Sequence, residues 1–308
     1  MVGSAVVREL GKRNYEKILL KSSKELDLIK QQEVENFFKE EQPEVVIIAA
    51  AKVGGILANN TYRAEFIYNN LMIVANVINS AYKNGCEKLI FLGSSCIYPK
   101  LAPQPLKEEY LLSDYLEDTN EPYSVAKIAG IKLSENYYRQ YKSNFYSVMP
   151  TNLYGPNDNF DLETSHVLPA FIRKFHEAKI NKKNSVTIWG SGKPKREFLY
   201  VEDLADAILF MLENINAKGI YDTGISQINV GTGKDISIND LAKMISGIVG
   251  YKGDILHDGT KPDGTPRKLL DVSRMKSFGW EYKTELKEGI EKTYKWFIEN
   301  KEKYGLVN

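Results

Sequence analysis

Two apolar runs, Val45-Val46-Ile47-Ile48-Ala49-Ala50-Ala51 and Leu89-Ile90-Phe91-Leu92, do most to limit the folds open to this chain. Neither alternates polar with apolar residues, so each reads as a strand covered on both faces, the pattern of parallel sheets flanked by helices. The spacing predicts strands at Glu44–Ala51, Lys88–Ser95 and Phe145–Pro150, with a shorter one at Lys17–Leu20. Helical periodicity lies between them. It joins Val2, Ala5, Val6 and Leu10 ahead of Gly11, and Val34, Phe37 and Phe38 ahead of Pro43. Longer helical patterns cover about Ala64–Lys83 and Tyr123–Tyr141. Strand and helix in alternation predict an α/β, doubly wound (Rossmann-like) parallel sheet, with ligands at the carboxyl ends of its strands.

After Tyr154 the pattern loosens. The loop-rich stretches Gly155–Thr164 and Gly253–Pro266 frame short strands at Val186–Trp189, Phe198–Val201 and Ile228–Val230, together with several helices. This predicts a smaller substrate-binding lobe of residues 156–192 and 216–308, the first lobe being 1–155 with about 193–215 added. A sheet of this kind normally opens with a strand, a Gly-rich turn and then a helix. Here the chain starts at the helix, with Gly3 where the last glycine of such a turn would be. The expectation is that the first strand and turn lie upstream, because a sheet without its central strand leaves backbone groups unpaired.

Composition narrows the function classes. Lys+Arg 41 against Asp+Glu 40 leaves a net charge of +1, without the broad basic field that nucleic acid or an anionic membrane would need. The longest apolar run is far short of the ~20 residues that span a bilayer. Arg8, Glu9, Lys12 and Arg13 argue against a signal peptide. The two cysteines, Cys86 and Cys96, lack metal-ligand spacing and suit a reducing cytoplasm.

The strongest chemical signal is Tyr123-Ser124-Val125-Ala126-Lys127. On a helix, residues four apart share a face, so phenol and ammonium can share a site. A nearby cation would lower the tyrosine pKa and suit it to protonate a developing alkoxide. Some thirty residues earlier, a strand ends in Gly93-Ser94-Ser95-Cys96-Ile97-Tyr98-Pro99, and a hydroxyl there completes a Ser/Tyr/Lys hydride-transfer site.

This combination resembles the extended short-chain dehydrogenase/reductases. The resemblance implies that Ser94 orients a carbonyl, Tyr123 donates a proton, and Lys127 binds ribose and tunes Tyr123. It narrows further. Ala49-Ala50-Ala51-Lys52-Val53-Gly54-Gly55-Ile56, Asn120-Glu121-Pro122-Tyr123 and Met149-Pro150-Thr151-Asn152-Leu153-Tyr154-Gly155-Pro156 are similar to the GDP-L-fucose synthase family. So are Ser165-His166-Val167, Trp189-Gly190-Ser191-Gly192, Arg196-Glu197-Phe198 and Lys261-Pro262-Asp263-Gly264-Thr265-Pro266-Arg267-Lys268. That family epimerises C3 and C5 of GDP-4-keto-6-deoxy-D-mannose and reduces C4 with NADPH. Protons beside a ketone are acidic because the carbanion delocalises into an enolate, and inversion needs a group on each face. The resemblance gives that pair as Cys96 and His166, with Tyr123 stabilising the enolate oxygen.

The same resemblance implies an NADP(H) cofactor beside Gly3, Leu92, Gly93, Ser94, Ser95, Lys127 and His166, with Pro150, Thr151, Asn152 and Leu153 lining its nicotinamide side. An acid at the end of the second strand would grip the ribose of NAD. Here the residues are Ser22, Ser23 and Lys24, with no acid until Glu25, which favours NADP. The family commonly offers an arginine near Ser23, so phosphate selectivity is expected to be weaker here. Lys174 and Arg196 are implied diphosphate contacts, Trp189 a flat surface and Asp263 a partner for a hydroxyl. Members of the superfamily commonly pair the helices at Ala64–Lys83 and Tyr123–Tyr141, implying a homodimer. Two other readings remain open. One is a different sugar-nucleotide epimerase or dehydratase, although a dehydratase would place an acidic pair where Cys96-Ile97-Tyr98 stands. The other is a non-catalytic nucleotide-binding protein that lacks the phosphate turn.

Overall fold

The computed structural model describes residues 1–261 and 263–305; Pro262 of the Lys261–Lys268 motif lies outside the described residues, as do residues 306–308. In chain order the first half runs α1 (Val2–Lys12), α2 (Gln31–Glu41), β1 (Val45–Ile48), α3 (Ile56–Thr61), α4 (Arg63–Lys83), β2 (Lys88–Leu92), α5 (Glu121–Tyr141) and β3 (Asn144–Pro150). There follow β4 (Asn152–Tyr154), α6 (Val167–Ile180), β5 (Ser185–Trp189), β6 (Lys195–Tyr200), α7 (Val201–Asn214) and α8 (Ala217–Tyr221). The chain ends with β7 (Ile228–Val230), β8 (Asp235–Ser237), α9 (Ile238–Val249), β9 (Asp254–Asp258), β10 (Arg267–Lys268), α10 (Ser273–Ser277) and α11 (Leu286–Glu299).

The central sheet has the order β1-β2-β3-β7, all parallel. Successive side chains of a strand face opposite ways, and both faces are filled. Leu89 and Phe91 of β2 join Phe145, Val34, Phe38, Val77 and Ile131 on one side, under α2, α4 and α5. Ile90 and Leu92 join Tyr146, Val148, Ala5, Leu204 and Ile208 on the other, under α1 and α7. Burying each such side chain is worth about 1.5–3 kcal/mol, which is why these strands read as unbroken apolar runs.

Three expectations change, at Lys17–Leu20, in β1 and at the end of the first helix. Lys17–Leu20 forms no strand; it runs over the surface with Leu19 and Leu20 exposed, and none of the described strands offers it a ladder. Extended backbone that has no partner strand leaves its amide groups to water. β1 is only four residues long and is not covered throughout, Val45 being exposed. Among the described residues no strand precedes α1 or pairs with the outer edge of β1. The first helix, too, runs past Gly11 to Lys12, and the chain turns away at Asn14, whose φ is 61°.

A second lobe holds a sheet ordered β10-β6-β4, with β8 antiparallel to β6, and a two-stranded sheet of β5 and β9. Its core gathers Tyr154, Phe160, Phe171, Phe175, Ile188, Phe198, Leu241 and Phe297. The chain crosses between lobes more often than the boundary at 216 implied: β7 pairs with β3, and Ile220, Met275 and Trp280 pack beneath the first sheet. The crossing that matters most is the shortest. A single residue, Thr151, separates β3 in the first sheet from β4 in the second.

Candidate active site

The carboxyl end of β2 lies at the junction of the two lobes. Gly93 follows it, and a Cβ there would sit 2.1 Å from Cε of Met149 on β3, so a larger residue would have to displace the Met149 side chain. Ser94 continues in extended backbone (φ −161°, ψ 149°), and the chain then turns through one 3-10 turn, Ser95–Ile97. The turn is tied to α5, because Ser124 Oγ donates to the carbonyl of Cys96 at 3.0 Å. Tyr123, the neighbour of Ser124, is thereby fixed relative to Cys96.

Lys127 is buried one turn further along α5. Its Nζ donates to the Leu92 carbonyl at 2.7 Å and lies 4.8 Å from the Phe91 ring centroid and 5.6 Å from that of Tyr123. Burial pushes the Lys127 pKa down to about 8, opposed by Cys96. The Tyr123 pKa is raised, not lowered: burial dominates and Cys96 adds to it. The expectation that Lys127 depresses the phenol pKa therefore does not hold, since the ammonium is turned to a backbone carbonyl and desolvation outweighs its attraction. A protonated phenol at neutral pH is still the form that a proton donor needs.

His166 and Lys268 face this group from the second lobe. His166 is the residue before the first turn of α6 and is exposed to solvent on one side. Crowding by protein lowers its pKa, and the Lys268 charge lowers it further. Lys268, on β10, has its own pKa lowered by burial and by Arg196, while Cys96 and Glu117 oppose the shift. A recess next to the Ser95–Ile97 turn is lined by Cys96, Tyr98, Lys100, Gln104, Glu117 and Lys268. Thiol, phenol, imidazole, the buried Lys127 ammonium and the half-buried Lys268 thus gather at one junction. The sequence motif ending in Arg267-Lys268 contained Lys268 but gave it no role, and no motif contained Glu117; the pairing of β10 with β6 brings Lys268 beside Arg196.

The remaining candidates fall into two groups. Thr151 and Asn152 turn towards the second lobe: Thr151 Oγ1 and Asn152 Nδ2 donate to the Glu197 carbonyl at 3.3 and 2.7 Å, and Pro150 and Leu153 flank them on β3 and β4. Gly3 is exposed in the first turn of α1, where a Cβ would meet nothing within 4 Å. Ser22, Ser23 and Lys24 form an exposed turn in which the Ser22 amide and hydroxyl both donate to Glu25, at 2.8 and 2.7 Å.

Trp189 is 60% exposed, with Lys174 Nζ 5.7 Å and Lys261 Nζ 5.4 Å from its ring centroid. Arg196 is half-buried on β6; desolvation lowers its pKa and Asp263 opposes. Asp263 is already engaged, accepting from the Ser191 amide at 2.6 Å and the Ser191 hydroxyl at 2.7 Å. It orders the Gly190–Gly192 turn beside Trp189, which leaves fewer lone pairs for a ligand hydroxyl than the sequence suggested.

Residues 1–231 match the model of the NAD dependent epimerase/dehydratase family. The chain is 54% identical over 300 residues to a putative GDP-L-fucose synthase 2 of Arabidopsis thaliana, covering 97% of this chain and 89% of that one. It is 52% identical over 306 residues to GDP-L-fucose synthase of Escherichia coli strain K12, covering 99% and 95%. Among solved structures, a GDP-D-glycero-L-gluco-heptose synthase from Campylobacter jejuni in the presence of NADPH superposes with a TM-score of 0.88 at 41% identity, covering 97% and 95%.

Proposed function

The chain belongs to the NAD dependent epimerase/dehydratase family, and from that premise we propose that it converts GDP-4-keto-6-deoxy-D-mannose to GDP-L-fucose, by 3,5-epimerisation and NADPH-dependent 4-reduction at one site. The observation that carries this reading is the gathering of Cys96, Tyr123, Lys127, His166 and Lys268 at the lobe junction. A reductase alone needs the Tyr123 and Lys127 side of it; epimerisation gives Cys96 and His166 work to do.

The residues present suit NADP. The acid after Lys24 is spent on Ser22, so it does not stand free to grip a ribose diol, and Lys21 and Lys24 remain as cations for a 2′-phosphate. Ser22, Ser23 and Lys24 would hold that phosphate, Gly3 and α1 the diphosphate side, and Lys127 the nicotinamide ribose. Leu92, Gly93, Ser94, Ser95, Pro150, Thr151, Asn152, Leu153 and His166 would line the nicotinamide end. When bound, NADPH supplies the hydride that C4 receives.

The chain's own groups do the rest. Cys96 and His166 act from opposite sides of the sugar, one taking up a proton from the carbon beside the ketone and the other delivering its own, solvent-exchangeable proton to that carbon on the far face. The lowered His166 pKa keeps a basic nitrogen available at neutral pH. Ser94 and Tyr123 bond the C4 oxygen, which bears the negative charge of the enolate, and Tyr123 finally gives its proton to that oxygen. Lys127 and Lys268 place positive charge in a dry site, where it counts for more than it would in water. Lys174 and Arg196 hold the diphosphate, Trp189 and Asp263 the remainder of the GDP-sugar.

We read the outer surface of α4 and α5 as a homodimer face, supported by exposed Tyr68, Tyr82, Val125 and Tyr141. We read the protein as cytoplasmic and without a nucleic-acid partner, in keeping with its net charge of +1; among the described residues no helix is long and apolar enough to cross a membrane. The functional reading is tested by NADPH oxidation with GDP-4-keto-6-deoxymannose and sugar analysis of the product. GDP-L-fucose is expected. A C4-reduced sugar with C3 and C5 unchanged would replace the bifunctional reading with that of a simple C4 reductase, and NADPH binding without turnover with that of a non-catalytic nucleotide-binding protein.

A further inference from the structure

We propose that Glu197, which no chemical step employs, is a positioning residue that aligns the sugar-nucleotide side of the site with its nicotinamide side; the inference rests on the functional reading above. Its carboxylate is fully buried. One oxygen accepts from the backbone amides of Thr232 at 2.6 Å and Gly233 at 2.8 Å, and the other from the amide of Leu270 at 2.8 Å. Leu270 comes two residues after Lys268, and Thr232 two residues after β7. The side chain therefore staples the end of β10 and the turn after β7 to β6. The Glu197 carbonyl, meanwhile, accepts from Thr151 and Asn152 in the turn between β3 and β4. Four segments meet at one residue.

Position makes this staple consequential. Arg196 precedes Glu197 and stands in register with Lys268 across the β6–β10 pair. That pair is only two residues long, too short to hold its own register against thermal motion. Fixing Leu270 to Glu197 fixes Lys268 beside Arg196. A second observation shows room reserved for the carboxylate: a Cβ on Gly231 would come within 2.2 Å of Glu197 Oε1. Burial raises the Glu197 pKa, and the amides of Leu270, Gly233 and Thr232 oppose the shift. A buried charge costs several kcal/mol if it is not fully bonded, and an apolar residue would suffice if packing were all that β6 required here.

The test is Glu197→Gln, which keeps the shape but presents an N–H to one of the amides. Affinity for GDP, measured by calorimetry, should fall at least tenfold, while NADPH affinity, measured by fluorescence, stays within twofold and the unfolding transition stays cooperative. In kinetics the loss should enter KM for the sugar nucleotide more than kcat. Gly231→Ala leaves Glu197 in place but crowds its carboxylate, and should reproduce the same selective loss, which decides the matter if Glu197→Gln does not fold. GDP affinity within twofold of wild type, or parallel loss of GDP and NADPH affinity, would overturn the proposal, as would a wild-type chain that binds neither GDP nor UDP. A wild-type chain that prefers UDP, or binds GDP without forming fucose, refutes the functional reading instead; the variant-to-wild-type affinity ratio still judges Glu197.

Discussion

Replacing Lys127 with methionine should abolish reduction without weakening the fold. Burial lowers the Lys127 pKa from 10.5 to about 8, so the folded chain holds an ammonium that it would rather leave neutral. A shift of one unit is worth about 1.4 kcal/mol, which puts the cost of the charged form at roughly 3 kcal/mol. Methionine removes that cost and fills similar space. Against it stands the Leu92 carbonyl, which loses its donor at a penalty of about 1–3 kcal/mol. The two nearly cancel, so Lys127→Met should match or slightly exceed wild-type stability at pH 7. The pH dependence is sharper. A lysine whose folded pKa is depressed makes the protein more stable as pH rises from the folded value towards 10.5, because only the unfolded chain keeps its proton there. Wild type should therefore gain about 2 kcal/mol relative to Lys127→Met between pH 7 and pH 9.5. Urea unfolding of both proteins at the two pH values measures this, with NADPH oxidation in parallel. A stability gap that does not change with pH, or a variant more than ~2 kcal/mol less stable at pH 7, would refute the view that function keeps this charge against the interest of the fold.

Other outcomes follow from the same geometry. Cys96→Ser should slow epimerisation by about 10²–10⁴-fold, seen as lost solvent deuterium uptake at the sugar carbons; near wild-type uptake would remove Cys96 from the mechanism. His166 has a pKa below the ordinary imidazole value, so epimerisation should fall only as pH drops beneath that value, and His166→Gln should lose this acid limb. Gly130→Ala would put a Cβ 2.6 Å from the Phe91 ring. Overpacking of about 1–3 kcal/mol should outweigh the ~1 kcal/mol that alanine returns to a helix, giving a net loss readable in urea unfolding.

Long periodic elements were plain in the sequence. Ala64–Lys83 and Tyr123–Tyr141 match α4 and α5 to within two residues, because an apolar stripe repeated over five turns admits few other readings. The strand at Lys17–Leu20 was not, since a strand exists only with a partner, and pairing is not written in a four-residue run. The extra lobe crossing at β7 was hidden for a similar reason, three residues being too few to show which sheet they join. The motifs led to the site itself, but its electrostatics needed the fold. Burial reversed the expected shift of Tyr123, while the chain's tertiary path brought Lys268 to Cys96 and joined Asp263 to Ser191, 72 residues away.

The central claim is that one site carries out two kinds of chemistry. Running the reaction in deuterium oxide with NADPH and GDP-4-keto-6-deoxymannose, and locating the label in the product by NMR, tests it most directly. The account predicts GDP-L-fucose with deuterium at both C3 and C5 and protium from the cofactor at C4. A reduced product without label at C3 and C5 would contradict it, and would leave Cys96 and His166 without the role given to them here.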